Sequence, residues 1–152
     1  MKLLIAISDS ESNILAGHSG NAWGFKLKPD RNGNKKEFLL SEDHRKYSIP
    51  GNFITFWSSE KDTSSSQGFV GLGIIMDNQI PGKIDRNIWM DNNYYGELPF
   101  KSLSLKKMPL DVVKTTYGNS WNRLFTVISP HLPAAKINTE QLKKFILYML
   151  HN

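Results

Sequence analysis

The chain has 152 residues and a mass of 17.3 kDa, a length that supports one folded domain with its own core. Hydrophobic residues make up 39% and charged residues 22%, which excludes extended disorder, and the absence of cysteine excludes disulfides, thiolate metal sites and a cysteine nucleophile. The formal net charge of +5 favours association with polyanions, because each Lys or Arg placed against a phosphate releases condensed counterions.

The first 20 residues give the weakest secondary-structure signal. KLLIAIS fits either a strand or the start of a helix, and residues 17–20 fit a linker. We therefore expect an N-terminal extension at residues 1–20 and a domain at residues 21–152. No run approaches the roughly 18 apolar residues of a membrane span, and the N-terminal residues make a poor signal peptide, so we expect no membrane contact and a cytoplasmic protein.

From residue 22 onwards the elements are easier to recognise. Residues 22–28 alternate aromatic or apolar side chains with glycine and lysine, which predicts a half-buried strand. Asn32 and Gly33 then predict a tight hairpin turn. Residues 38–47 are ambiguous, but Ser41 followed by acidic and then basic residues indicates a short helix.

Three further strands are predicted at residues 52–58, 68–77 and 98–105. The first has bulky side chains on both faces, which is typical of a strand buried inside a barrel. The second has three glycines, Gly68, Gly71 and Gly73, which predict a sharp bend or a close backbone approach where a small barrel closes.

Two elements are predicted near the C-terminal end. Residues 123–129 are rich in β-branched and aromatic side chains and predict another strand. The last element is an amphipathic helix with Asn138 or Thr139 as its N-cap. Its apolar stripe follows helical spacing through Leu142, Phe145, Ile146, Met149 and Leu150.

The segments AWGFKLKPD, FITFWSS and IWMDNNYYGELPFKSLSLKKMP occur in this order along the chain. Together with the closing helix they resemble the EVE and YTH branches of the PUA-like superfamily, over residues 21–150. The resemblance implies an α+β fold, a small twisted β-barrel flanked by helices, that holds a flipped modified base in an aromatic pocket. Distant domains of this kind are DNA-recognition modules of McrBC-type restriction systems, which implies a fused or associated AAA+ motor and nuclease as partners.

The resemblance also implies a set of base-binding residues. Trp57 and Trp89 would sandwich the base, and Trp23 or a tyrosine would close the cage. Trp89 stands beside an amide-rich turn-like segment, so we expect its ring to face solvent, although a tryptophan is more often part of a core. The implied base-binding residues are Trp23, Trp57, Ser58, Trp89, Asn92, Tyr94 and Tyr95.

Basic residues form two groups that could hold the nucleic-acid backbone. The alternative is that they form an ordinary solvated face. The phosphate-binding candidates are Lys26, Lys28, Arg31, Lys35, Lys36, Lys106 and Lys107.

Catalytic signals are weak, and we expect neither an enzyme nor a metal or cofactor. Glu42, Asp43, His44 and Lys46 lie close together, but neighbouring residues of one helix or loop point apart, whereas a nuclease needs carboxylates that converge on a metal. The sequence predicts binding of nucleic acid, with DNA that carries N6-methyladenine or a methylcytosine favoured. The alternatives are a reader of methylated RNA, a small-molecule or protein-interaction domain, and a nuclease.

Overall fold

The computed structural model describes residues 1–26, 28–29, 35–36, 42–60, 67–84, 86–89, 94–125 and 134–151. The strands in this part of the chain are β1 Leu3–Ser8, β2 Ala22–Lys26, β3 Lys28–Pro29, β4 Lys35–Lys36, β5 Phe53–Ser58, β6 Gly68–Ile75, β7 Ile80–Lys83 and β8 Tyr94–Pro109. The helices are α1 Glu11–Gly20, α2 Glu42–Arg45, α3 Leu110–Tyr117, α4 Trp121–Leu124 and α5 Thr139–Leu150.

One mixed sheet organises the domain in the order β1-β5-β6-β8-β2, and β7 also pairs with β8. β8 has 16 residues, of which the first part pairs with β2 and β7 and the second part with β6. The sheet therefore curls into a half-barrel around this long strand. β3 and β4 pair in antiparallel fashion as a separate two-stranded sheet, and the predicted turn at Asn32 and Gly33 lies outside the described residues. The predicted α+β class is confirmed.

Residues 1–20, which the sequence assigns to an extension, supply a strand of the sheet and a helix packed on it. β1 pairs in parallel with β5 along its whole length, from Leu3 opposite Phe53 to Ser8 opposite Ser58. Its first four side chains are at most 2% exposed. Such a strand, buried on both faces, shows no polar alternation in sequence, so KLLIAIS gave no clear strand signal.

Both faces of the sheet carry a core, as the sequence of β5 predicts. Successive side chains of a strand point to opposite faces. Ile54 and Phe56 pack with Ile14 of α1, on what we call the α1 face. Phe53 and Trp57 pack on the other side, where Phe145 belongs to α5, on what we call the α5 face.

The α1 face is tied to the sheet by a buried histidine. His18 of α1 is 3% exposed and lies edge-on to the rings of Phe56 and Phe100. Its Nε2 lies 3.4 Å from the carbonyl oxygen of Val70, which can only accept, so Nε2 carries the ring proton and donates it. In this neutral tautomer Nδ1 accepts a hydrogen bond of 2.6 Å from the Ser102 hydroxyl. Burial lowers the pKa of His18 below its ordinary value of 6.5, and the hydrogen bond to Val70 offsets only part of this shift.

The C-terminal elements confirm one prediction and correct another. Asn138, one of the two predicted N-caps, precedes α5 and closes a capping box with Gln141. Residues 121–124 are helical, so the strand predicted from residue 123 does not begin there, and residues 126–129 lie outside the described part. Packing of Phe125 against Phe69 overrides the local strand preference. No helix in the described ranges is long and apolar enough to cross a membrane.

Candidate functional site

Three of the predicted base-binding aromatics come together at the β2–β8 side of the sheet. The rings of Trp23 and Trp89 stand at 90° with their centroids 6.1 Å apart. Tyr94, the first residue of β8, lies 4.6 Å from Trp89 at 34°. We call Trp23, Trp89 and Tyr94 the aromatic corner, because two of its rings meet at a right angle.

A glycine of β2 makes this arrangement possible. A Cβ added to Gly24 would lie 2.7 Å from Cζ3 of Trp89 and 2.9 Å from Cδ1 of Tyr94. Real Cβ atoms do not approach other atoms so closely, so any side chain at this position would push the two rings away. Gly24 is therefore a residue of the site that its sequence context did not reveal.

The expectation that Trp89 faces solvent is wrong. Trp89 is 7% exposed, and its Nε1 donates a hydrogen bond of 3.0 Å to the carbonyl oxygen of Asn13 in α1. The neighbouring amides indicate a turn, but the ring itself folds back over Gly24 against Trp23. Trp23 is only half-buried, so it is the member of the corner that presents ring surface to a ligand.

The structure does not bring Trp57 and Trp89, the predicted sandwich pair, together. Phe56 contacts Trp23 at 5.0 Å on the α1 face, and the next residue, Trp57, points to the opposite face. There Trp57 packs against Phe69 at 4.8 Å and Trp121 at 5.0 Å. The sheet itself separates the two tryptophans.

Ser58 lies on the α1 face and is completely buried. Its Oγ has no hydrogen-bond partner in the part of the chain that the structure describes. A buried hydroxyl without a partner carries a desolvation cost, so it is a candidate contact for a polar ligand atom. Asn92 lies outside the described residues, and of Tyr95 only the backbone in β8 is described.

The predicted phosphate-binding residues fall into two groups. Lys106 Nζ donates to the carbonyl of His151 at 2.7 Å and lies 4.2 Å from the ring centre of Tyr148. Lys107 Nζ lies 3.2 Å from a carboxylate oxygen of Glu11. A phosphate would have to displace these intramolecular partners, which weakens both lysines as backbone contacts.

The first group of lysines is described by its backbone alone. The β3–β4 register sets Lys28 opposite Lys36 and Pro29 opposite Lys35, and Lys26 ends β2 just before this hairpin. The hairpin therefore gathers basic residues at one place, next to the strand that carries Trp23. Arg31 lies outside the described residues.

The acidic cluster of residues 42–46 is described only in part, because the side chains of Glu42 and Asp43 lie outside the described residues. α2 places His44 in a buried position while Arg45 and Lys46 are exposed. Within the described ranges, no group of three or more His, Asp or Glu side chains could hold a metal ion.

Sequence reasoning also missed a second aromatic cluster on the α5 face. Trp121 of α4 joins Trp57, Phe69 and Phe125 around a cavity of about 250 Å³. The sequence signal for Trp121 was hidden, because a four-residue helix is too short to show a periodic pattern.

No protein-family model and no curated protein matches the sequence. Solved structures do match. The YTH domain of Mmi1 in complex with RNA has a TM-score of 0.57 at 12% identity, with 97% of this chain and 78% of that chain covered. The YTH domain of Zygosaccharomyces rouxii MRB1, in complex with N6-methyladenosine RNA, has a TM-score of 0.55 at 12% identity, with 99% and 85% covered.

A third similar structure is human THYN1 in complex with DNA that contains 5-methylcytosine. Its TM-score is 0.53 at 12% identity, and the match covers 100% of this chain and 99% of that one. Similarity at this level of identity concerns the path of the chain, and it agrees with the curled sheet and the helices on its two faces. The chain therefore has the fold that these YTH domains and THYN1 share.

Proposed function

We propose that this domain binds nucleic acid carrying a methylated base, and that the base enters the aromatic corner. The observation that carries the proposal is the right angle between Trp23 and Trp89, with Trp23 half-buried. When a base stacks on the accessible surface of Trp23, the edge of the base lies against the other apolar rings of the aromatic corner. Stacking on one aromatic ring contributes about 1–3 kcal/mol per base.

The corner also gives a reason for preferring a methylated base. A methyl group on the base edge adds apolar surface that the neighbouring rings can bury, worth about 0.8 kcal/mol per carbon. The buried hydroxyl of Ser58, on the same face of the sheet, is proposed to contact a polar atom of the base. Trp57 has no part in this pocket.

The nucleic-acid backbone is proposed to lie along the β3–β4 hairpin. The net charge of +5 and the pairing of Lys28 with Lys36 support a sequence-independent attraction to phosphates. Binding should then weaken steeply as salt increases, since log K falls by about 0.7 to 0.9 for each log unit of salt and each phosphate neutralised.

DNA with N6-methyladenine or methylcytosine is the proposed ligand, in a recognition module of a restriction system that works with an AAA+ motor and a nuclease. The match to human THYN1 with 5-methylcytosine DNA supports DNA. A reader of methylated RNA is the second candidate, because YTH domains in complex with RNA have slightly higher TM-scores. The 2′-hydroxyl is the group by which a site distinguishes the two.

The test compares Trp23→Leu with a matched control, Trp121→Leu. Both tryptophans are half-buried, but they lie on opposite faces of the sheet. Affinity is measured by fluorescence anisotropy with DNA and RNA oligonucleotides that carry or lack one methylated base, and folding is checked by melting. We expect Trp23→Leu to lose about 5- to 150-fold in affinity for the methylated strand, the equivalent of one stacked base. Trp121→Leu should bind like the parent.

Parent-like binding by a folded Trp23→Leu variant would contradict the proposed pocket. Equal loss in both variants would place the binding surface elsewhere. No binding of any oligonucleotide by the parent at low salt would refute the function itself.

A further inference from the structure

The cavity on the α5 face is a second place where a ligand can bind, separate from the aromatic corner. Four aromatic rings surround it: Trp57, Phe69, Trp121 and Phe125. Trp57 and Trp121 are inclined at 30° with centroids 5.0 Å apart, so the two rings stack against each other on one side of the cavity. Both remain half-buried although tryptophan burial is favourable, so ring surface stays accessible.

The size of the cavity sets the size of the ligand. Its volume is about 250 Å³. An apolar protein cavity of about 150 Å³ stays dry and binds benzene, so this one has room for a fused pair of rings. Ile5 and Ile7 of β1 form the aliphatic side of the cavity, which suits the flat face of such a ring system.

The lining also sets the charge of the ligand. None of the described residues that line the cavity is charged, and among them only Ser59 and Asn122 are polar. A charged ligand would lose its hydration without gaining a partner, which is costly.

One wall of the cavity can adjust to a ligand. None of the four residues of α4, which carries Trp121, is buried, and the helix has no side-chain cap at its N-terminus. Such a short element, with no buried side chain, belongs to the low-stability end of a fold.

We infer that this cavity binds a free, uncharged, fused two-ring aromatic molecule of the indole class, with one polar atom near Asn122 or Ser59. This inference does not depend on the proposed nucleic-acid binding, since the two sites lie on opposite faces of the sheet. Indole itself is the probe for the test.

The four tryptophans give the experiment its readout, since each indole N–H yields one signal in a nitrogen–proton correlation spectrum. Single Trp→Phe variants assign the signals. We expect indole to shift the Trp57 and Trp121 signals in a saturable manner and to leave those of Trp23 and Trp89 in place.

Two variants and a control complete the test. Ile7→Phe fills the cavity and should weaken indole binding at least about tenfold, a change of about 1.4 kcal/mol. Trp121→Ala removes one side of the cavity at a residue that is itself not buried, so it should weaken binding even if Ile7→Phe fails to fold. Leu103→Phe, at a position that is 40% exposed and outside the cavity, should bind like the parent.

Three results with indole would overturn the inference. One is that indole shifts no signal up to its solubility limit, and another is that it shifts Trp23 and Trp89 instead. The third is that folded Ile7→Phe and Trp121→Ala bind indole as tightly as the parent. A methylated oligonucleotide that shifts the Trp57 and Trp121 signals would show that the cavity is the base pocket, which contradicts both proposals in a recognisable way.

Discussion

Replacing Trp89 with alanine should destabilise the whole domain, because this ring holds three elements together. It packs against Trp23 of β2 and Tyr94 of β8, and its Nε1 bonds to the carbonyl of Asn13 in α1. At 7% exposure, the side chain is part of the core. Truncation of a buried tryptophan costs about 3–5 kcal/mol of the free energy of unfolding.

That energy converts to a measurable change in melting temperature. For a domain of this size each kcal/mol corresponds to about 2–4 °C, so Trp89→Ala should melt about 6–20 °C below the parent. Circular dichroism at a far-ultraviolet wavelength measures the transition. Trp121→Ala is the matched control, because α4 has no buried residue, and it should lose much less.

A Trp89→Ala variant that melts within about 2 °C of the parent, a change of less than about 1 kcal/mol, would refute the reasoning. It would mean that Trp89 faces solvent, as its amide-rich surroundings suggest. The aromatic corner would then not be a packed unit, and its right angle would lose its significance for ligand binding.

Two further perturbations test other parts of the fold. Because burial lowers the pKa of His18, the unfolded chain binds its proton more readily, so stability should be full above about pH 6.5 and fall as the pH drops below it. The side chain of His18→Gln cannot take a proton. In urea unfolding between about pH 7.5 and about pH 5, the free energy of unfolding of this variant should therefore change less with pH than that of the parent. An equally steep pH dependence in the two proteins would contradict the role given to His18. Asn138→Ala removes the cap of α5 and should cost about 1 kcal/mol, or about 2–4 °C in melting temperature, whereas Asn119→Ala, at an exposed turn, should change little. Equal melting of the two asparagine variants would show that the capping box does not stabilise the domain.

Local patterns predicted the elements whose pattern of buried side chains can be read from the sequence. The spacing of Leu142, Phe145 and Met149 predicted α5, because a helix that buries one stripe has a periodic sequence. Bulk on both sides of β5 predicted a strand with a core on each face, because both faces of the sheet are covered.

Long-range pairing was beyond the reach of such patterns. β1 pairs with β5, some fifty residues further along, as in Leu3 opposite Phe53. No local residue preference specifies that partner, so residues 1–20 were assigned to an extension although they supply a strand and a helix of the core.

The candidate site was predicted by residue type and not by geometry. The sequence identified Trp23, Trp57 and Trp89 as aromatic residues at element ends. Alternation along a strand does not show against which face of the sheet a residue from a distant loop, such as Trp89, will pack. Phe56 and Trp57 are neighbours in sequence, and the sheet sends one towards Trp23 and the other towards Trp121. The single expected pocket therefore became two separate aromatic clusters.

The most direct measurement of the central claim is a titration of the parent with paired oligonucleotides that differ by one methyl group, followed through the four tryptophan indole signals. We predict that the Trp23 and Trp89 signals shift, and that the methylated strand binds at least about fourfold more tightly, the equivalent of about 0.8 kcal/mol for one buried carbon. Equal affinity for the two strands, or binding that leaves the Trp23 and Trp89 signals unmoved, would contradict the claim that the aromatic corner reads a methylated base.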